Sequence, residues 1–189
     1  MTKDKLRRKY KQLRNNLSIA EKNRWNEQIL NHLKRIDWNS YRYVHVYLPL
    51  EKFSEPDTAP FIKWVQHTHP HIRLVISKSD FHSGEMTHYL LEKDTILIEN
   101  KWGILEPEHG IIVNPDKIDI ILVPLLVLDM RGNRVGYGKG FYDRFILKCN
   151  KNVKTIGISF FEPLDLIIHA DMWDIKINGC VTPTKIYEF

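Results

Sequence analysis

At 189 residues the chain has room for one well-filled core and too little for two, so a single domain over residues 1–189 is expected. Hydrophobic residues make up 43% and charged residues 27%, an ordinary soluble composition with no repeat, no low-complexity tract and no apolar stretch long enough for a transmembrane helix. The net charge of +5 implies attraction to anions without choosing among them, and Cys149 and Cys180 are too few for a disulfide framework or a four-ligand zinc site.

The N-terminus is charged from Lys3 onward and has no apolar signal-like segment, so a cytoplasmic protein is expected. Residues 1–17 have the pattern of an amphipathic helix, with Leu6, Leu13 and Leu17 close to one face and Tyr10 extending it. The other face carries Lys3, Lys5, Arg7, Arg8, Lys9, Lys11 and Arg14 against Asp4 alone, and a run of that kind ordinarily means a solvated surface. Ser18 followed by Glu21 is a capping box. Trp25, Ile29, Leu33 and Ile36 then continue at helical spacing, which assigns Trp25 to the core. Tyr41 to Leu48 alternates and is rich in aromatic and β-branched residues, as a first strand would be. Asp57 or Thr58 can cap a helix starting near Pro60, with Phe61, Trp64 and Val65 turned inward. In open α/β sheets ligands bind at the C-terminal ends of strands, so the loop between these elements singles out Glu55.

His67, His69 and His71 look like a metal cluster only at first sight, because Pro70 breaks the segment and no cysteine or carboxylate stands among them. Arg73 to Ser77 reads as a second strand and Thr87 to Leu91 as another, with Gly84 in the turn. Trp102 lies in a loop punctuated by Gly103 and Pro107, where tryptophan is less often a core residue. Ile120 to Leu128 has the length and apolarity of a strand buried on both faces of a parallel sheet. Beyond it Gly136, Gly138 and Gly140 alternate with Tyr137 and Lys139, so that several backbone N–H groups can turn toward one point. With Arg134 before this nest, Lys139 within it and a helix N-terminus after it, the predicted ligand is a polyphosphate. Asp143, in the first turn of that helix, is placed to hold a Mg²⁺ bridging phosphates. GxGxG alone also suits a glycine-rich hairpin, and it is neither a GxxxxGK[ST] loop nor the GxGxxG of dinucleotide sites. A helix from Tyr142 to Cys149 and an inner strand from Thr155 to Phe160 follow.

The string VPLLVLDMRGNRVGYGKGFYDRF, from Val123 to Phe145, closely resembles the signature of the 5-formyltetrahydrofolate cyclo-ligase family, also called methenyltetrahydrofolate synthetases. Val123-Pro124, Leu128-Asp129, Gly132, Arg134, Gly136, Gly138, Gly140, Tyr142 and Asp143 fall on that pattern, with Val135 where leucine is usual. Lys3, Leu6, Arg7, Arg14, Leu17 and Ser18 resemble its N-terminal K-x-x-L-R segment, and Glu55 to Thr58 its pterin-binding segment. Gly103 to Pro107 is similar to a G-I-x-E-P element preceded by an aromatic, and Asp171 to Asn178 to a closing H-D-x-x-V-D, where Asp174 takes the first aspartate's place and Asn178 stands in place of the second.

The resemblance implies a three-layer, Rossmann-like α/β fold with a mostly parallel sheet. It also implies ATP-dependent cyclisation of 5-formyltetrahydrofolate to 5,10-methenyltetrahydrofolate with release of ADP and phosphate. ATP would be held by Lys3, Asp4, Lys5, Leu6 and Arg7 on the first helix, and by Arg134, Val135, Gly136, Tyr137, Gly138, Lys139, Gly140, Phe141 and Tyr142 around the glycine loop. Among these Arg7, Arg134 and Lys139 would be the catalytic cations, and Asp143 and Asp174 would hold Mg²⁺. The pterin would lie against Leu50, Glu55, Trp102 and Tyr142, with Leu48 the alternative to Leu50 because the loop is slightly longer than usual. A small-molecule folate, with or without a polyglutamate tail, is the expected partner of a monomer that binds neither nucleic acid nor membrane. Two rivals stand beside this reading: a nucleic-acid module using the basic first helix, and another small ATP-dependent or phosphate-sugar enzyme on the same fold. Glu55 and Trp102 together favour folate over the second.

Overall fold

A computed structural model describes all residues 1–189. In chain order the elements are α1 (Lys3–Asn15), α2 (Ile19–Leu33), β1 (Tyr43–His45), α3 (Ala59–Thr68), β2 (Arg73–Asp80), β3 (Glu85–Leu90), β4 (Leu97–Glu99) and β5 (Leu105–Pro107). There follow β6 (Ile120–Pro124), β7 (Val127–Leu128), β8 (Arg134–Val135), α4 (Phe141–Lys148), β9 (Lys154–Ile158), β10 (Gly179–Val181) and β11 (Ile186–Glu188). Seven strands form the main sheet in the order β11-β10-β9-β6-β1-β2-β3. Its four inner pairings are parallel, and only the edge pairs β2–β3 and β10–β11 are antiparallel. The expected α/β class with a mostly parallel sheet is therefore what the chain adopts.

The sheet's order explains where a ligand can go. From β1 the chain moves outward through β2 to β3, then returns to the other side of β1 and moves outward again through β6, β9 and β10. The connections reverse between β1 and β6, so the crevice beyond the carboxyl ends of these two strands is the expected binding position. Residues 120–123 are all buried, because helices cover both faces of the sheet. Ile120 and Leu122 pack with α2 and α3 residues such as Ile29, Leu33, Phe61 and Val65. Ile121 and Val123 point to the opposite face and meet Phe145 and Ile146 of α4. The capping box of α2 forms as read: Ser18 Oγ accepts from the Glu21 N–H, and the Ser18 N–H donates to the Glu21 carboxylate. Trp25 packs against this core, its ring 5.8 Å from that of Phe160.

Several expectations need correction. The apolar run 120–128 is two strands, because Pro124 has no N–H to extend the ladder and Leu125 and Leu126 leave the sheet. Leu126 donates instead to the Val135 carbonyl, and β7 pairs with β8 in a separate hairpin. The turn of that hairpin is held by Asp129, whose carboxylate accepts from the backbone of Arg131, Asn133 and Ile168 and from the Asn133 amide. Gly132 in the same turn has φ +77, and a Cβ there would lie 2.5 Å from the Ile177 carbonyl oxygen. Leu128-Asp129 and Gly132 of the motif are thus scaffold. On α1 the inward residues are Leu6, Tyr10 and Arg14, packed over the β7–β8 hairpin, while Leu13 is exposed. The small antiparallel pair β4–β5 was not read from the sequence, and β1 is shorter than Tyr41–Leu48.

Candidate active site

A cleft of about 920 Å³ opens beyond the carboxyl ends of β1 and β6, where His45, Tyr47 and Pro124 line it. One end is basic. Gly138 (φ +91) and Gly140 (φ +67) adopt left-handed conformations between β8 and the N-terminus of α4, and Gly136 to Asp143 line the wall in one continuous stretch. Arg7 reaches this loop from α1, its Nε donating to the Gly136 carbonyl at 3.1 Å. Lys3, Arg7 and Lys11, spaced i, i+4 and i+8, all line the cleft, and Arg14 is fully buried beneath it. Reading the cations of α1 as mainly a solvated face is therefore corrected for these four; Lys5, Arg8 and Lys9 remain exposed.

The two aspartates expected to hold Mg²⁺ both line the cleft, and each is engaged through one oxygen. Asp143 Oδ1 accepts from Arg134 Nη2 at 2.7 Å and from the Ile175 N–H at 3.0 Å. Asp174 Oδ2 accepts from Lys3 Nζ and from the Asp171 N–H. The second oxygen of each has no protein partner and is available to an oxygen-preferring cation shared with phosphates, so the donor set fits Mg²⁺. Burial alone would lower the pKa of Lys3, but hydrogen bonds and charge from Asp171 and Asp174 outweigh it and hold the ammonium above its ordinary range. Arg134 is committed to Asp143 and to the Ile175 carbonyl, so it holds the aspartate rather than presenting a free guanidinium.

The other end is aromatic. Trp102 is 40% exposed, with the Phe81 ring 4.1 Å away and Phe141 edge-on to Phe81 at 5.2 Å. Its loop is fixed by Asn100, whose Oδ1 accepts from the N–H groups of Trp102 and Ile104. Buried Glu106 ties that loop to β2, accepting from Asn100 Nδ2 at 2.9 Å and from the Ser79 N–H at 2.8 Å.

Glu55 lies between the two ends. It is buried, with Oε2 accepting from the Leu50 N–H at 2.8 Å and Oε1 from the Tyr137 hydroxyl at 2.6 Å. Burial raises its pKa, against the opposing pull of the Tyr137 and Leu50 hydrogen bonds and of Arg14. Tyr142 sits deep in the cleft wall, and burial pushes its phenol well above the ordinary range. Beneath them His45 Nε2 meets Ser77 Oγ at 2.7 Å, and Ser77 Oγ meets His88 Nδ1 at 2.8 Å.

Of the sequence-predicted residues, Lys3, Arg7, Leu50, Glu55, Trp102, Arg134, Gly136 to Asp143 and Asp174 converge on this cleft. Asp4, Lys5, Leu6 and Val135 do not line it. Asp4 pairs with Arg7, Lys5 is exposed, and Leu6 and Val135 fill the core cluster under α1. Leu48 and Leu50 both line the cleft. Asn178 Oδ1 accepts from the Thr155 N–H and hydroxyl, a structural role away from the cleft. Tyr47, Phe53, Phe81, Arg144 and Trp173 also line the cleft, although the sequence did not single them out as site residues. Their single aromatic or basic letters carry no local periodicity; only the spacing of Lys3, Arg7 and Lys11 was there to be found.

The model of the 5-formyltetrahydrofolate cyclo-ligase family matches residues 1–183. An Escherichia coli (strain K12) protein named 5-formyltetrahydrofolate cyclo-ligase is 27% identical over 150 residues, covering 77% of this chain and 80% of that one. A Haemophilus influenzae protein of the same name is 24% identical over 181 residues, covering 93% and 94% of the two chains. The solved structure of Aquifex aeolicus 5,10-methenyltetrahydrofolate synthetase superposes with a TM-score of 0.82 at 30% identity, covering all of this chain and 93% of that one.

Proposed function

The chain belongs to the 5-formyltetrahydrofolate cyclo-ligase family, and from that premise we propose that it cyclises 5-formyltetrahydrofolate to 5,10-methenyltetrahydrofolate at the expense of ATP, in the cleft between β1 and β6. The observation that carries this reading is the union in one cleft of a glycine-rich cationic end with an aromatic end, joined at Glu55. A formamide oxygen is a poor leaving group. Transfer of the γ-phosphoryl group to that oxygen, with ADP departing, converts it into a good one; N10 then attacks the formyl carbon and loses its proton to solvent, and the C–O bond breaks to release phosphate. Such chemistry asks the protein mainly for positioning and charge neutralisation.

In this reading the amides of the glycine loop, Lys139, Arg7 and Lys3 neutralise the triphosphate. Asp143 and Asp174 would hold Mg²⁺, which would supply further charge neutralisation to the triphosphate. Arg134 keeps Asp143 oriented. Leu50, Glu55, Trp102 and Tyr142 position the pterin, and the basic surplus suits the folate's glutamate tail, polyglutamylated or not. We further propose that residues 1–189 act as one domain, as a cytoplasmic monomer; no helix is long and apolar enough to cross a membrane. A nucleic-acid role for α1 is disfavoured because Lys3, Arg7, Lys11 and Arg14 turn to or under the cleft instead of outward.

The test is the absorbance of the conjugated methenyl product on mixing the protein with 5-formyltetrahydrofolate and MgATP. Growth that depends on ATP is expected. Its absence in a protein that still binds MgATP would reject the folate substrate and keep the nucleotide site.

A further inference from the structure

The side chain of Tyr137 has no role in the reading above, although its backbone lies within the glycine loop. Its flanking residues are Gly136 and Gly138, so the backbone on both sides has no Cβ to restrict its torsions. Its hydroxyl stands between two buried charges: it accepts from Arg14 Nη1 at 2.9 Å and donates to Glu55 Oε1 at 2.6 Å. Neither direction can reverse, since a guanidinium only donates and a carboxylate only accepts. Arg14 is anchored in turn to the Leu125 carbonyl, and Glu55 to the Leu50 N–H. The Tyr137 ring stacks on Phe53 at 4.8 Å and 25°, and Phe53 belongs to the same loop as Leu50 and Glu55. Lys11 Nζ covers both rings, at 5.3 Å from Phe53 and 5.5 Å from Tyr137.

We propose that Tyr137 is a positioning residue that couples the two ends of the cleft: nucleotide held by the glycine loop fixes its hydroxyl, which fixes the Glu55 carboxylate for the folate, so each substrate tightens the binding of the other. The inference rests on the cyclo-ligase reading. Its physical basis is that a bond of 2.6 Å and one of 2.9 Å on the same oxygen cannot both survive a displacement of the loop by an ångström. In the conformation described Glu55 has both its partners, and anions filling the glycine nest would hold the loop in that one conformation. Linkage makes the effect reciprocal: whatever factor nucleotide contributes to folate affinity, folate contributes to nucleotide affinity.

The experiment is calorimetric titration of the full chain with 5-formyltetrahydrofolate, with and without a saturating non-hydrolysable ATP analogue and Mg²⁺. For the unaltered protein the analogue should tighten folate binding by about fivefold or more. In Tyr137→Phe the ratio of the two affinities should fall to about one, both affinities being measured on the variant itself. Glu55→Leu, which removes the acceptor of the Tyr137 hydroxyl and so breaks the same path from the other end, should also abolish the ratio. A merely structural role would weaken both ligands and leave the ratio standing. That result, or a ratio of one in the unaltered protein, overturns the coupling. If Tyr137→Phe does not fold, a ratio that persists in Glu55→Leu does the same. Failure of the cyclo-ligase reading looks different: the unaltered protein would then not bind 5-formyltetrahydrofolate at all.

Discussion

At the basic end of the cleft, residues 136–143 supply a continuous wall from one stretch of chain and α1 supplies the cations that face it. At the aromatic end, Leu50, Phe81 and Trp102 come from three loops far apart in sequence, held together by contacts such as Glu106 to Ser79. The first end works through backbone conformation, with φ of +91 at Gly138 and +67 at Gly140. The second works through packed side chains. A site made of local backbone is written as a motif; a site made of packed loops is written only as isolated letters.

The largest test of this division is Lys139→Ala. Removing a preorganised cation from a phosphoryl-transfer site should lower turnover by roughly 100-fold or more. Lys139 lines the cleft and is the donor in no hydrogen bond or ion pair, so the thermal midpoint and the affinity for 5-formyltetrahydrofolate alone should stay unchanged. Equal loss of folate affinity would break the division between the ends.

Both ends rest on one floor, and acid should remove them together. His88 is stacked on Phe145 at 4.0 Å and bonded to Ser77; burial, with a smaller contribution from the charge of Lys148, pushes its pKa down to about 4. Burial, followed by the neighbouring His88, also holds fully buried His45 well below its ordinary range. A base whose pKa is depressed in the native state binds more protons when unfolded, so this contribution is complete above about pH 6.5 and is lost as pH falls toward 4. For His88 alone the loss is on the order of 3 kcal/mol. Urea unfolding at pH 7 and pH 4.5 measures it, and His88→Asn should flatten the dependence. An unchanged slope in that variant would place the acid sensitivity elsewhere.

Gly138→Ala sharpens the comparison at the backbone end. The left-handed conformation costs a non-glycine residue about 1 kcal/mol or more, and the new Cβ would lie 3.1 Å from the Arg7 guanidinium carbon. Nucleotide affinity should fall by about tenfold while folate affinity in the absence of nucleotide is retained. Loss of both in the binary complexes would show that the loop supports the whole cleft rather than one end.

The same contrast governs what the sequence disclosed. The capping box at Ser18 and the turn of the glycine loop are local patterns with local causes, and each took its expected form, whereas the run expected as one strand over 120–128 kept to the main sheet only as far as Pro124. Arg14 was unreadable as a buried residue because its partners, Leu125 and Tyr137, lie 111 and 123 positions away. The stripe of Lys3, Arg7 and Lys11 was present in the spacing, but counting α1's charges as a run concealed their period. The break after Pro124 was signalled by the proline itself; the length of the apolar run hid it.

The smallest effect is expected at Trp102, and it asks whether the aromatic end works by flat contact. Trp102 already shares one side with Phe81 at 4.1 Å and has Lys101 Nζ 4.4 Å from its ring, so a pterin gains only part of a π-face there. Aromatic pairing of this kind contributes about 0.5–1.5 kcal/mol, so Trp102→Leu should weaken 5-formyltetrahydrofolate about fivefold, measured by calorimetry, and leave the nucleotide analogue's own affinity intact. Trp102→Phe should recover most of that loss, since Phe keeps a face for stacking. If Leu proved as good as Phe, the contact would be hydrophobic area and not ring stacking. The aromatic end would then differ from the glycine end only in being assembled from distant segments, not in demanding a particular shape.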